Sequence, residues 1–131
     1  MKNEKYLYLN SRDSFYRLDT SKIVFFEADG NYTRFVMSYN KLKGMAGFNL
    51  LTMAKILGRS LGSDASMFAR IGKRFIVNLT YVYYIDIPKQ RLVLSDGASF
   101  AYQLPVSKEA LKTLRDMFVG SVKTKKNDDK R

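Results

Sequence analysis

Apolar and polar positions alternate with a period of two along most of the chain, and take a helical period in only two places. The first clear run is KIVFFEADGNYTRFVMSY, residues 22–39. Ile23 to Ala28 is rich in β-branched and aromatic residues, and Asp29-Gly30-Asn31 supplies turn chemistry. Tyr32 to Tyr39 then alternates again, so the whole run predicts a β-hairpin. In its second strand Thr33, Phe35, Met37 and Tyr39 share one face, and Tyr32, Arg34, Val36 and Ser38 share the other. Ahead of the hairpin, residues 1–20 read as a lead-in strand plus loop, because YLYL alternates too weakly to place. NKLKGMAG, residues 40–47, reads as loop or short strand.

Helical spacing begins at Leu50 and continues through Ala54, Leu57 and Leu61, with Lys55 and Arg59 on the opposite side. Asn49 is placed to cap this helix and Gly62 to stop it. GSDAS follows as a loop, MFARI as a short strand, and TYVYYIDI as a strand ended by Pro88. RLVLSDGASFAYQL predicts a hairpin around Asp96-Gly97. Pro105 breaks the strand and Ser107 can cap a last helix. There Leu111, Leu114 and Phe118 form an apolar stripe, while Lys108, Lys112 and Arg115 line another face and Glu109 suits the helix dipole. From Gly120 the chain turns polar, which predicts a basic disordered tail over 120–131. The order is mostly strands, with one short helix in the middle and one at the C-terminal end. A chain of 131 residues suits one domain, expected over 21–119 between the lead-in and the tail.

Composition narrows the chemistry. The absence of Cys excludes disulfides and thiol reactions, and the absence of His removes the commonest general base and metal ligand. The carboxylates Glu27, Asp29, Asp64, Asp86 and Asp96 are scattered without ligand-like spacing, and no glycine motif for phosphate is present. The expectation is therefore a protein that is not an enzyme, with no cofactor, no metal and no small-molecule substrate. Neither a secretory leader nor a membrane-spanning run is visible, so the expected location is cytoplasmic and no membrane partner is expected. The net charge of +11 points instead to a polyanion. The tail from Gly120 contributes +3 of it, which leaves +8 on residues 1–119.

The charge is concentrated in one telling place, RIGKRFIVNL, residues 70–79. Arg70, Lys73 and Arg74 crowd around Gly72, and an apolar run, Phe75-Ile76-Val77, follows at once. Cations on a tight glycine turn can approach phosphates closely, and the apolar run would hold that turn rigid. A second polar turn, DGNYTR, carries Arg34. A third, PVSK, opens a helix whose free N–H groups can accept a phosphate. Three such loops on one β scaffold could form one DNA-reading edge; the plainer reading of each is an ordinary solvated bend.

Taken together, these pieces resemble the LytTR family of bacterial DNA-binding domains from about Ser21 to Phe118. The resemblance is carried by IVFFEADGNYTRF, then LLTMAKIL, then MFARIGKRFIVNLTYVYYI, then LVLSDGASFAYQLPVSKEALKTL, in that order and spacing. It implies an elongated, mostly β sandwich of antiparallel sheets. It implies sequence-specific binding of double-stranded DNA by a transcriptional regulator, through loops entering successive major grooves, with two protomers on paired repeats. Carried over by position, the first reading loop is Asn31, Tyr32, Thr33 and Arg34, the second Arg70, Lys73 and Arg74, and the third Ser107 and Lys108. Two departures stand out. Many members have a His where this chain has Gly72. Members usually carry an input domain, most often a phospho-receiver, and the residues before Ser21 are too few for one, so a stand-alone regulator or a fragment is expected.

Within that reading Lys73 is the expected base-edge contact, since Lys donates to guanine O6 and N7. Arg70, Arg74 and Lys108 are the expected phosphate contacts. Asn31 and Thr33 either read bases or shape the turn, and Tyr32 is expected to pack in the core or at its rim. Two rivals remain: single-stranded nucleic-acid binding on an aromatic β surface, suggested by YVYY against ordinary strand packing, and a protein-interaction module that has lost DNA binding.

Overall fold

Runs of consecutive apolar residues do not suit a sheet with one wet face, and Ile23–Phe26 and Phe75–Val77 are two such runs. The computed structural model describes residues 6–39 and 43–120 and places both runs at the centre of a sheet covered on both sides. That sheet has five antiparallel strands in the order β5-β4-β3-β7-β6, where β3 is Ile23–Asp29, β4 Tyr32–Met37, β5 Lys43–Ala46, β6 Phe68–Ile71 and β7 Phe75–Asn78. A hairpin of β1 (Tyr6–Asn10) and β2 (Phe15–Asp19) stands apart from it, as does a three-stranded sheet in the order β10-β9-β8. In that sheet β8 is Val82–Asp86, β9 Arg91–Ser95 and β10 Ala101–Pro105. The helices are α1, Leu50–Leu61, and α2, Lys108–Gly120. The expected class, mostly β with antiparallel sheets, a middle helix and a C-terminal helix, is the one observed.

Alternation sorts the central side chains between two cores. Phe26, Phe35, Met37 and Ile76 face α1 and the β1–β2 hairpin, whose Leu7, Leu9 and Leu18 complete that core. Phe25, Val36, Phe75 and Val77 face the other way, against Leu92, Leu94 and Leu104 of the three-stranded sheet and Leu111 and Leu114 of α2. The pairing of β3 with β4 shifts register between Ile23 and Phe25. This irregularity turns Val24 and Phe25 to the same core, which strict alternation would forbid.

Four expectations from the sequence change. The lead-in is a full hairpin: its outward positions include Tyr8 and Phe15, whose exposed rings stack at 6.0 Å and hid the alternation of Leu7 and Leu9. Phe118 is exposed with Met117 and Val119, whereas Leu111 and Leu114 of the same helix are buried. GSDAS lies in a 3-10 turn spanning Gly62–Met67 rather than in an irregular loop. The Asp96-Gly97 hairpin closes with Ser95 opposite Ala101, which leaves five residues, 96–100, in its loop. There Asp96 accepts hydrogen bonds from the Ser99 hydroxyl, the Ala98 amide at 2.9 Å and the Ser99 amide at 2.7 Å. A carboxylate so engaged serves as the turn, so a two-residue connection is not required. The expected tail lies outside the described residues apart from Gly120, which ends α2. Among the described residues no helix is long and apolar enough to cross a membrane.

Where β7 ends, Asn78 is fully buried. Its Nδ2 donates to the Ile23 carbonyl at 2.8 Å, and its Oδ1 accepts from the Thr80 amide at 3.0 Å and the Thr80 hydroxyl at 2.7 Å. Asn78 thus caps the 3-10 turn Leu79–Tyr81 that leads to the three-stranded sheet, and satisfies a carbonyl beside the irregularity in β3. Asn78→Ala would take the donor from the buried Ile23 carbonyl and the cap from the Thr80 amide, and should lower unfolding free energy in urea by about 2 kcal/mol.

The Asp96 carboxyl is held far below the usual carboxylate range, first by the Ser99 hydroxyl and next by the Ala98 amide. A depressed carboxylate supports its loop above the ordinary value of ~3.9 and loses that effect as pH falls from there toward the folded value. In NMR the Ala98 and Ser99 amide shifts should therefore stay flat through pH ~3.9 and move only in stronger acid; a midpoint at the ordinary value would contradict this arrangement.

Candidate nucleic-acid interface

The β3–β4 register pairs Asp29 with Tyr32 and leaves Gly30 and Asn31 as a two-residue turn. Gly30 has φ 63°, a left-handed conformation that favours glycine. The β6–β7 register pairs Ile71 with Phe75 and leaves Gly72, Lys73 and Arg74 as the second turn. Gly72 has φ 65°, so a His at this position would be strained in this backbone. Because β3 and β7 are antiparallel neighbours with Glu27 opposite Phe75, the end of one lies beside the start of the other. The Ala28 amide donates to the Arg74 carbonyl at 2.8 Å and ties the second turn to the first. The third loop arrives beside them. An open groove of about 520 Å³ is lined on one side by Gly72, Lys73 and Arg74 and on the other by Pro105 and Ser107. The structure thus brings all three expected loops to one end of the central sheet.

The individual side chains sort less evenly. Lys73 and Lys108 are exposed and have no ion-pair partner among the described residues. Arg70 is exposed, and its Nη2 donates to the Lys73 carbonyl at 3.3 Å, bracing the turn. Arg74 points one Nη2 at Glu27 Oε2, 2.6 Å away, and lies 5.0 Å from the Phe75 ring centre. Arg34 is partly buried; its Nη2 donates to Asp29 Oδ2 at 3.0 Å and its Nε stands 3.8 Å from Glu27 Oε1. Ser107 Oγ accepts from the Ala110 amide at 3.2 Å and so caps α2, as its position suggested. Asn31 is exposed at the tip of the first turn.

Burial separates two residues of the first loop. Thr33 has no exposed surface, and its hydroxyl donates to the Phe48 carbonyl at 2.8 Å. It fastens β4 to the chain entering α1, which is the turn-shaping one of the two roles left open for it. Tyr32 is 55% exposed, so it is not core packing. The residue before it in the loop is a turn tip, and the pleat points Tyr32 outward on the face opposite Thr33.

Glu27 is the site residue that sequence reasoning passed over, grouped with the scattered carboxylates. It stands directly opposite Arg34 across β3 and β4 and one strand from Arg74. The signal was present: in a hairpin with Asp29 facing Tyr32, counting back places Glu27 against Arg34. The YVYY run, expected within one strand, has Tyr81 in the 3-10 turn and enters β8 only at Val82, and it departs from simple packing. Tyr81 is half-buried and its hydroxyl donates to the Ser21 carbonyl at 2.8 Å, but Tyr83 and Tyr84 are exposed.

Comparison with known proteins bears on the family and the fold. Residues 13–119 match the model of a family described as the LytTr DNA-binding domain. A solved LytTr DNA-binding domain from Bacillus cereus superposes with a TM-score of 0.61 at 21% identity, covering 87% of this chain and 96% of that one. No curated protein matches the chain.

Thr33→Val keeps the side-chain shape and removes the bond to Phe48. It should lower stability by about 1 kcal/mol in thermal or urea unfolding, and leave duplex affinity of the folded protein unchanged. A selective loss of DNA binding at unchanged stability would place Thr33 on the contact surface.

Proposed function

The chain belongs to the LytTR family of DNA-binding domains, and from that premise we propose that it is a bacterial transcriptional regulator reading double-stranded DNA by sequence. The observation that carries the proposal is the meeting of three polar turns at one end of the central sheet, with a lysine that has no ion-pair partner among the described residues at the tip of the middle one. Loops fixed on strands hold their side chains in register, which base recognition requires. In this reading Lys73 and Asn31 reach base edges in the major groove. Arg70, Arg74, Arg34 and Lys108 contact phosphates, Tyr32 packs against the backbone, and Ser107 presents the N-terminal amides of α2 to a phosphate. Two protomers on repeats about one helical turn apart would place equivalent loops on one face of the duplex.

The excess of positive charge supports a nucleic-acid partner of either kind, and exposed Tyr83 and Tyr84 favour the single-stranded alternative to the extent that bases stack on them. Selection from a random duplex pool separates the two. Enrichment of paired repeats supports the regulator, whereas quenching of tyrosine fluorescence by short oligonucleotides without duplex preference supports the rival.

On the selected duplex, Lys73→Ala should weaken binding by about tenfold or more, the loss of one good base contact. On a scrambled duplex it should change affinity by no more than about threefold, since at most one of several phosphate contacts goes. Competition titrations at fixed salt measure both, and equal losses would take Lys73 out of base reading.

A further inference from the structure

We propose that Glu27 is a specificity-determining positioning residue. Its one carboxylate holds one arginine from β4 and one from the β6–β7 turn at a set separation and restrains both from binding phosphate indiscriminately. The inference rests on the DNA-binding reading above and concerns how that surface discriminates.

Each carboxylate oxygen of Glu27 faces a different guanidinium. Oε2 lies 2.6 Å from Arg74 Nη2, and Oε1 lies 3.8 Å from Arg34 Nε. The Glu27 side chain is only 21% exposed, whereas those of Arg34 and Arg74 are 37% and 56% exposed. The acid is therefore sunk in the sheet while both bases keep an open side toward solvent. Further contacts fix each base: Asp29 Oδ2 at 3.0 Å from Arg34 Nη2, and the Phe75 ring 5.0 Å beneath the Arg74 guanidinium. Arg34 Nε is buried and makes no hydrogen bond, so this arginine is held through Asp29 and by charge attraction to Glu27.

The consequence follows from charge. Glu27 and Asp29 together balance Arg34 and Arg74, so this part of the sheet end is locally neutral. Lys73, Arg70 and Lys108 next to it have no carboxylate partner among the described residues. Non-specific affinity counts the phosphates a protein neutralises, so a balanced pair adds little to it. Arg74 is more than half exposed, and an ion pair with one side so open to solvent adds little to stability. Guanidiniums already fixed in direction lose less freedom when a duplex of the right shape and sequence brings acceptors to them. Specificity is a difference of two affinities, and Glu27 would lower the unwanted one while leaving the wanted one intact.

The test compares wild-type protein, Glu27→Gln and Glu27→Asp on the selected duplex and on a scrambled duplex, each over a salt titration, alongside thermal unfolding. Glu27→Gln keeps the side-chain shape and removes the charge. It should bind scrambled DNA about tenfold tighter near 0.1 M salt, with a salt slope steeper by about 0.9, the signature of roughly one more phosphate neutralised. Its preference for the selected duplex should fall by a similar factor. Glu27→Asp keeps the charge, so its scrambled-DNA affinity and salt slope should remain those of the wild type. Unchanged slope and preference in Glu27→Gln would overturn the inference. So would parallel weakening on both duplexes with a lowered melting temperature, or a rise in scrambled binding by Glu27→Asp equal to that of Glu27→Gln. Failure of the underlying reading shows elsewhere, in wild-type protein that enriches no sequence, and it would overturn this inference as well.

Discussion

Burial of the central sheet on both faces is the constraint from which the rest of the molecule follows. With α1 and the β1–β2 hairpin on one side, and the three-stranded sheet with α2 on the other, positions on the central strands are shut off from solvent over most of their length. Charged residues on β3, β4 and β7 can then sit only where the covers stop. Glu27, Asp29 and Arg34 cluster there, beside Arg74 in the adjoining turn. The same constraint makes Phe75, Ile76 and Val77 all apolar, since neither face of β7 is wet. The cationic turn and the buried run behind it are thus one device, in which the run fixes the backbone that carries the turn.

Holding the turns still requires polar closure as well as packing. The Ala28 amide reaches the Arg74 carbonyl, and Arg70 reaches the Lys73 carbonyl, so the second turn is tied to its neighbour and to itself. Thr33 does the same for the first loop by binding Phe48. At the far end of β7, Asn78 joins the central sheet to the turn that starts the second core. Buried polar groups with all partners present specify one arrangement, because any alternative leaves one of them unsatisfied.

The sequence disclosed the scaffold better than the site. Hairpins announced themselves through Asp29-Gly30-Asn31 and Asp96-Gly97, and both helices through the spacing of leucines, because turn chemistry and helical period are local signals. The β1–β2 hairpin was obscured by tyrosine and phenylalanine on its outer face, where polar residues would have marked the alternation. For the site, Lys73, Arg70 and Arg74 were visible as a charge cluster and the three loops as separate turns. Their meeting depends on β3 pairing with β7 across almost fifty residues of sequence, which no local pattern encodes. The open roles of Thr33 and Tyr32 had a similar cause: alternation says which residues share a face, but not which face the covers close over.

A net charge of +11 would by itself make a protein that adheres to any duplex. Discrimination needs the opposite of more charge: fixed donors at few points and restraint elsewhere. The sheet end has both kinds of group side by side. Lys73 at the tip of its turn meets no acid among the described residues, while Arg34 and Arg74 are met by acids on β3. An acid within a basic binding surface looks unfavourable when attraction to phosphate is the only quantity considered. It becomes intelligible when the quantity is the ratio between right and wrong DNA, because a carboxylate weakens every encounter that charge alone would drive and leaves directional contacts to decide the rest.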